Sequence, residues 1–285
     1  MERAGGSGEN PPYVADFHRF GFAVVRHVFT PDEVALLARA FDDIWAQGME
    51  HPRSYRHGNV FFRVSDDRNL GRIVRYVQWP SYFDSRLDAV RSDRRMLNIL
   101  QPLIGRDIKQ IINQMHWKPP GAAMADFGWH QDIRFRRPRS AYREPGESYV
   151  QTAIAIDPHR LDNGAMRMCS GSHRLGEVDL GPGRIMDRAL DGADLAKAGL
   201  DPRNVEALVL EPGDVALWHL YTLHGSGPNH TSGDRRLYIN GYVKASMCER
   251  GEWTFRDGQP LPLGNPVLVH FEDLFRRPEP HYVDD

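Results

Sequence analysis

Two histidines and one aspartate set the chemistry that this sequence offers: His130 and Asp132, two positions apart, and a histidine far downstream in His219-Leu220-Tyr221-Thr222-Leu223-His224. Two imidazoles and a carboxylate are the donor set that grips a non-haem Fe(II) ion from one side and leaves the opposite positions open. If Trp129–Arg134 is a strand, residues at i and i+2 share a face, so His130 and Asp132 reach one ion while Gln131 points away. His224 and His219 both offer a third donor at this level of reading.

The basic run Arg134, Arg136, Arg137, Arg139 and Arg143 follows directly. It suits either a clamp for an anionic substrate or a solvated loop. Arg134 continues the i, i+2 series and is the member expected to face inward. Phe127 and Trp218 are candidates for a substrate wall, against the plainer reading that they belong to the core with Trp129 and Phe135.

These side chains need a rigid frame. The run Gly21-Phe22-Ala23-Val24-Val25 predicts a strand, and Thr30-Pro31-Asp32-Glu33 opens a helix with a capping box and Pro at its first position. Leu36, Leu37, Ala40, Phe41 and Ile44 give that helix its apolar face. Residues 46–90 mix Arg, Asp, Ser and His with scattered aromatics, a pattern read as partly irregular, either a pocket wall or a surface excursion. A second helix is predicted over Ser85 to Ile104, ending near Gly105.

From Ile108 onward short strands alternate with turn signals. The predicted strands are Ile108–Trp117, Trp129–Arg134, Ser148–Asp157, Ala165–Cys169, Ala207–Leu210, Val215–Trp218 and Arg236–Val243. Asp162-Asn163-Gly164 and Glu211-Pro212-Gly213-Asp214 are among the turns. Leading helices followed by many short strands predict a mainly β fold, a double-sheet jelly roll with flanking helices. No repeat or linker interrupts it, so residues 11–285 are expected to form one domain after a disordered, glycine-rich tail over 1–10, with the jelly-roll core at about 108–245.

Composition removes other classes. With 36 Lys+Arg against 38 Asp+Glu, nothing pulls the chain toward nucleic acid or an anionic membrane. No apolar run has the length of a spanning helix, and the first residues lack the pattern of a signal peptide. Two cysteines without a C-x-x-C pair point away from a disulfide framework or thiolate zinc site and toward the cytoplasm. A small molecule is the expected partner, and the sequence carries no signal of oligomeric state.

The ordered motifs resemble the phytanoyl-CoA dioxygenase family of Fe(II)/2-oxoglutarate-dependent oxygenases, which also includes ectoine hydroxylase. The resemblance runs from about residue 14 to 245. It rests on the Phe-x-x-x-Gly-Phe-x-x-x-Arg opening, the Thr-Pro-Asp-Glu-Val helix start, Lys118-Pro119-Pro120, His130-Gln131-Asp132, Asp162-Asn163-Gly164, Ser170-Gly171-Ser172-His173, Glu211-Pro212-Gly213-Asp214 and His224-Gly225-Ser226-Gly227-Pro228-Asn229.

The resemblance implies a double-stranded β-helix of the cupin type, with Fe(II) on His130, Asp132 and His224 and with 2-oxoglutarate and O2 as cosubstrates. It marks His224 rather than His219 as the ligand, and leaves His173 in a turn. It also implies that an arginine eleven residues beyond the distal histidine, Arg235, holds the far carboxylate. A planar guanidinium is the natural fork for that carboxylate. Arg236 is the neighbouring candidate, but adjacent strand residues face opposite sides, so one of the two points inward.

By the same alignment His116, Gln151 and Ser226 contact 2-oxoglutarate, and Gln114 shares a strand face with His116. Retention of Asp132 leaves no ligand position for chloride, so hydroxylation of an unactivated C–H bond is the implied outcome, with desaturation, cyclisation and epimerisation open to the same chemistry. The competing reading is a cupin-like isomerase or hydrolase that keeps the metal and has no use for Arg235.

Overall fold

The structure, a computed structural model, describes residues 10–123, 126–181, 185–186, 188–264 and 281–283. The tail expected over 1–10 lies outside the described residues except for its last position. Helix α1 (Pro12–Phe20) leads into strand β1 (Phe22–Val25), and helix α2 spans Pro31–Met49. The capping box is formed: Thr30 Oγ1 accepts the Glu33 N–H at 3.3 Å and Glu33 Oε2 accepts the Thr30 N–H at 2.8 Å. This satisfies two donors that the first helical turn would otherwise leave unpaired. Val34, Leu37, Ala40, Phe41 and Ile44 are buried, whereas Leu36 stays at the surface.

The stretch read as irregular is instead an antiparallel meander: β2 (Tyr55–His57), β3 (Val60–Asp67) and β4 (Gly71–Gln78). Phe62, Val64, Val74 and Val77 supply an apolar face that packs into the same core as α2. Its interleaved Arg and Asp residues masked the strand pattern in the sequence. The helix expected over 85–104 is two, α3 (Ser85–Arg91) and α4 (Arg94–Ile104). Asp93 takes the Arg95 N–H at 2.7 Å, so it caps a new helix rather than continuing the old one.

The remaining strands are β5 (Ile108–Lys118), β6 (Phe127–His130), β7 (Tyr149–Ala155), β8 (Met166–Cys169), β9 (Val205–Ala207), β10 (Val215–His219), β11 (His224–Ser226) and β12 (Arg235–Lys244). Short strands β13 (Glu252–Arg256), β14 (Gln259–Pro260) and β15 (His281–Tyr282) follow. Among the described residues they make two sheets. The larger runs β1-β10-β7-β12-β5-β4-β3-β2-β15, with β13 paired to β5 and β14 to β13, and the smaller runs β6-β11-β8-β9. This is the double-stranded β-helix, with its core strands between residues 108 and 244.

Two strands differ from expectation near the centre. Strand β6 ends at His130, and Asp132–Phe135 is a 3-10 turn. The strand expected over Ala207–Leu210 lies earlier, at Val205–Ala207.

Candidate metal centre

The two histidines come from neighbouring strands of the smaller sheet. His224 on β11 lies directly across from His130 on β6 in the antiparallel register, and their ring centroids are 4.2 Å apart. Directly opposed residues hold their Cβ atoms about 5 Å apart, so pairing alone brings the two imidazoles together. Asp132 arrives by another route than the expected strand face: the turn that begins there folds its carboxylate back beside both rings. Its Oδ1 is 4.0 Å from His130 Nε2 and its Oδ2 is 3.8 Å from His224 Nε2. One donor atom from each of the three residues lies within 4.8 Å of the others, and all three residues are buried.

Each ligand is oriented from behind. His130 Nδ1 donates to the Gly128 carbonyl at 2.8 Å and His224 Nδ1 to the Thr222 carbonyl at 2.9 Å. A carbonyl can only accept, so the proton sits on Nδ1 and the Nε2 lone pair faces the common point. The Trp218 indole N–H donates to Asp132 Oδ2 at 2.8 Å. Burial, and then the neighbouring His224, push His130 down to about 4, so the ring is neutral and ready to ligate at physiological pH. Burial opposes ionisation of Asp132, but the His224 and His130 rings, Arg136 and the Trp218 bond outweigh it and keep the carboxyl lowered. Two imidazoles held through Nδ1 and one fixed carboxylate, converging with free donor atoms, fit a divalent ion of the Fe(II) type.

Beside this centre lies a cavity of about 720 Å³ between the sheets. On β5, Gln114, His116 and Lys118 share the inward face, opposite Ile239, Leu237 and Arg235 of β12. Arg235 is 3 % exposed and makes no ion pair among the described residues. One NH2 donates to the Gly164 carbonyl at 3.0 Å, and its Nε has no partner. Arg236 faces the other way and is bound to Asp157 and Asp42.

Gly164 shows why the Asp162-Asn163-Gly164 turn is needed. Its φ is +78°, and a Cβ there would stand 2.5 Å from the Gly227 carbonyl, a position only glycine fills without strain. Burial first, then its cationic neighbours, hold Lys118 well below its ordinary value, and burial alone brings Arg235 down to about 9. A desolvated guanidinium facing a desolvated amine that gains its charge when an anion arrives is arranged for a carboxylate.

The other expected residues also reach the cavity. His116 Nε2 donates to Gln114 Oε1 at 3.0 Å, and burial followed by Arg235 pushes its pKa down to about 3. Ser226 is buried, two residues beyond His224. Gln151 lies across from Trp218 in the larger sheet and accepts a hydrogen bond from the Tyr149 hydroxyl. Phe127 lies beside His116 and under the Lys118 ammonium. Trp218 is committed to Asp132 by its N–H while its ring faces the cavity.

Arg134 lines the cavity from the 3-10 turn and is half-buried; the fully buried member of the basic run is Arg136. His219 bonds to the Gly146 carbonyl and the Tyr221 N–H, and His173 to the His18 carbonyl, so neither joins the triad. Sequence reasoning gave no site role to Lys118 or Tyr149 and ranked Arg134 ahead of Arg136 within the basic run. Lys118 was findable, because it continues the i, i+2 series from Gln114 and His116.

With this geometry in view, the comparisons are consistent. The sequence pattern of the phytanoyl-CoA dioxygenase family matches residues 17–237. A probable alpha-ketoglutarate-dependent hypophosphite dioxygenase of Stutzerimonas stutzeri is 29% identical over 183 residues, 61% of this chain and 58% of that protein. The chain thus spans less than two thirds of that relative. EctD from S. alaskensis, solved with 2-oxoglutarate and 5-hydroxyectoine, superposes with a TM-score of 0.63 at 19% identity, over 94% of this chain and 92% of that one. The non-heme alpha ketoglutarate dependent epimerase SnoN from nogalamycin biosynthesis superposes with a TM-score of 0.59 at 19% identity, over 89% and 95%.

Proposed function

The chain belongs to the phytanoyl-CoA dioxygenase family, and on that premise we propose that it is an Fe(II)/2-oxoglutarate-dependent oxygenase that hydroxylates an unactivated C–H bond of a small or medium organic molecule. The observation that carries this reading is the pairing, on one cavity, of the converging His130–Asp132–His224 donors with the unpaired, buried guanidinium of Arg235. A metal site serving hydrolysis or isomerisation needs the first and has no use for the second.

His130, Asp132 and His224 would hold the iron, and Fe(II) held there would supply the redox chemistry that couples oxidation of the substrate by O2 to conversion of 2-oxoglutarate into succinate and CO2. Arg235, with Lys118 across the strand pair, receives the far carboxylate of 2-oxoglutarate, and the two fix its register by charge-assisted bonds. His116, Gln114 and Ser226 line the cavity beside Arg235 and the triad, and Gln151, opposite Gly241 of β12, lines it farther along. Leu237, Ile239 and the Trp218 ring form dry walls, which exclude the water that would quench a reactive oxidant.

Arg134 and Phe127 stand on the substrate side of the cavity. Residues 11–285 act as one catalytic domain in this reading, supported by β1, β5, β7, β10, β12 and β13 sharing the larger sheet. No described helix is long and apolar enough to cross a membrane. Cys169 and Cys248 are free and buried, which supports residence in the reducing cytoplasm.

The test is an anaerobic titration of 2-oxoglutarate into Fe(II)-loaded protein, followed by the visible charge-transfer band of bidentate chelation. The band is expected to saturate, to vanish in Asp132→Ala, and to need at least about 30-fold more ligand in Arg235→Ala, the loss of a buried charge pair. No band in metal-replete wild type would transfer the triad to hydrolase or isomerase chemistry.

A further inference from the structure

The cavity has a second cationic pole that the iron and 2-oxoglutarate leave unused. Six cationic side chains, Arg63, Lys118, Arg134, Arg136, Arg235 and Arg250, line it against one carboxylate, Asp132, among the described residues. Arg136 is the deepest of those outside the Arg235 pole. It is 5 % exposed, its Nε is buried without a partner, and it makes no ion pair among the described residues. The guanidinium lies 5.5 Å from the Tyr149 ring centroid and shares a side-chain bond with Tyr142. A planar cation stacked on an aromatic face keeps its edge free for a planar or tetrahedral oxyanion.

The backbone beneath is shaped to hold this platform. Tyr149 Oη and Gln151 Oε1 crowd against Gly241 of β12, where any Cβ would collide with both. The Tyr149 hydroxyl occupies the Gln151 amide oxygen, so the Gln151 NH2 is the end of that amide left for the cavity. Arg136 meets the cavity at the Tyr149–Gly241 end of the sheet, whereas Arg235 enters it six residues away along β12, and Arg136 is one of the charges that favour the ionised Asp132. Ile111, Ile112 and Ile239 add apolar surface to the walls of the same cavity.

We propose that Arg136, stacked on Tyr149 and flanked by Gln151, binds an oxyanion head group of the substrate, a carboxylate or a phosphonate, and so sets which carbon of the apolar body faces the metal. The assignment rests on the oxygenase reading for what happens to that substrate, and on the cavity alone for its charge. It moves the anion clamp from Arg134, on the half-buried turn, to the residue whose charge is withdrawn from water. Asp132 and the Tyr142 hydroxyl favour its charge, and the buried Nε edge that has no partner is left for an incoming oxyanion.

Calorimetry on protein loaded with Zn(II) and 2-oxoglutarate, which cannot turn over, tests this with phenylphosphonate, benzoate and the neutral benzyl alcohol as probes. Wild type is expected to bind one equivalent of at least one anion at millimolar concentration or below, in preference to the alcohol. Arg136→Gln should weaken that binding at least tenfold and leave 2-oxoglutarate affinity within threefold, while Arg136→Lys recovers part of it through charge. The better of the two anions tells carboxylate from phosphonate.

Failure of both anions to bind, unchanged binding in Arg136→Gln, or displacement of 2-oxoglutarate by the probe would overturn the proposal. So would a parallel loss of Zn(II) affinity in Arg136→Gln and Arg136→Lys, which would make Arg136 a positioning residue for Asp132. If 2-oxoglutarate does not bind wild type, the oxygenase reading falls, and the same titration on protein holding Zn(II) alone still decides the Arg136 site.

Discussion

The Trp218 indole donates its only N–H to Oδ2 of Asp132 at 2.8 Å, from β10 of the larger sheet to the turn after β6 of the smaller. This bond crosses the jelly roll and aims the one anionic ligand at the two imidazoles. A hydrogen bond to a charged group is worth about 1.5–3 kcal/mol, and partners of this kind change metal affinity by roughly 10–100-fold. Trp218→Phe keeps the packing and removes the donor. Fe(II) affinity, measured by competition with a chromogenic chelator, should fall about tenfold or more with the fold intact by circular dichroism. Unaltered affinity would show that packing alone fixes Asp132.

Lys118 and Arg235 face each other across β5 and β12, and burial, then Arg235, holds the lysine well below its ordinary value. An arriving carboxylate reverses that balance, so 2-oxoglutarate binding should be accompanied by proton uptake at Lys118. Titration calorimetry in two buffers of different ionisation enthalpy measures the uptake directly. It should disappear in Lys118→Met, which should also bind 2-oxoglutarate more weakly. Equal apparent enthalpies in both buffers would rule out this coupling.

The metal-free protein should lose stability as pH falls from about 6.5 toward 5. Burial first, in each case, lowers His116 to about 3, His130 to about 4 and His219 to about 4. The unfolded chain takes up protons near the ordinary histidine value of about 6.5, while the folded one does not. Stability is therefore complete above that value and is lost as pH falls below it, at up to about 1.4 kcal/mol per pH unit for each imidazole. Denaturant midpoints at pH 7.5 and 5.5 report the effect, and His116→Gln should flatten the slope. A level profile across that window would contradict it.

Gly164→Ala places a methyl group against the Gly227 carbonyl at a left-handed φ. The strain should cost about 1–3 kcal/mol and lower the melting temperature. Because the Gly164 carbonyl accepts from Arg235, 2-oxoglutarate affinity should fall as well. A melting shift with normal 2-oxoglutarate binding would mean that Arg235 is held without this carbonyl.

Much of this architecture can be read from residue types, for identifiable reasons. His130, Asp132 and His224 are spelled out because metal ligation restricts which side chains serve, and the two histidines sit on paired strands as a jelly roll requires. The route taken by Asp132 was not legible. An i, i+2 spacing fits a strand face, yet the chain leaves the strand at His130 and reaches the same point through a turn. That early exit also decides between Arg134 and Arg136, since strand alternation no longer governs which arginine turns inward. Over 46–90, strands β2 to β4 carry arginines and aspartates among their apolar residues, so the period-2 signal fades although the apolar face is buried on α2. Lys118 needed only the strand face of His116 extended by one step.

The direct opposition of His130 and His224 across β6 and β11 makes the metal centre a gauge of strand register. A slip of one residue would turn one imidazole to the far face of the sheet and leave two ligands where three are needed. The two strands are distant in the chain and join only when long-range pairing is complete, the slow part of assembling a β topology. An ion at this point therefore bonds only to chains in which β6 and β11 have paired in register. Its uptake during refolding would time that pairing, and the iron would serve as a seal on the finished smaller sheet before it serves as a catalyst.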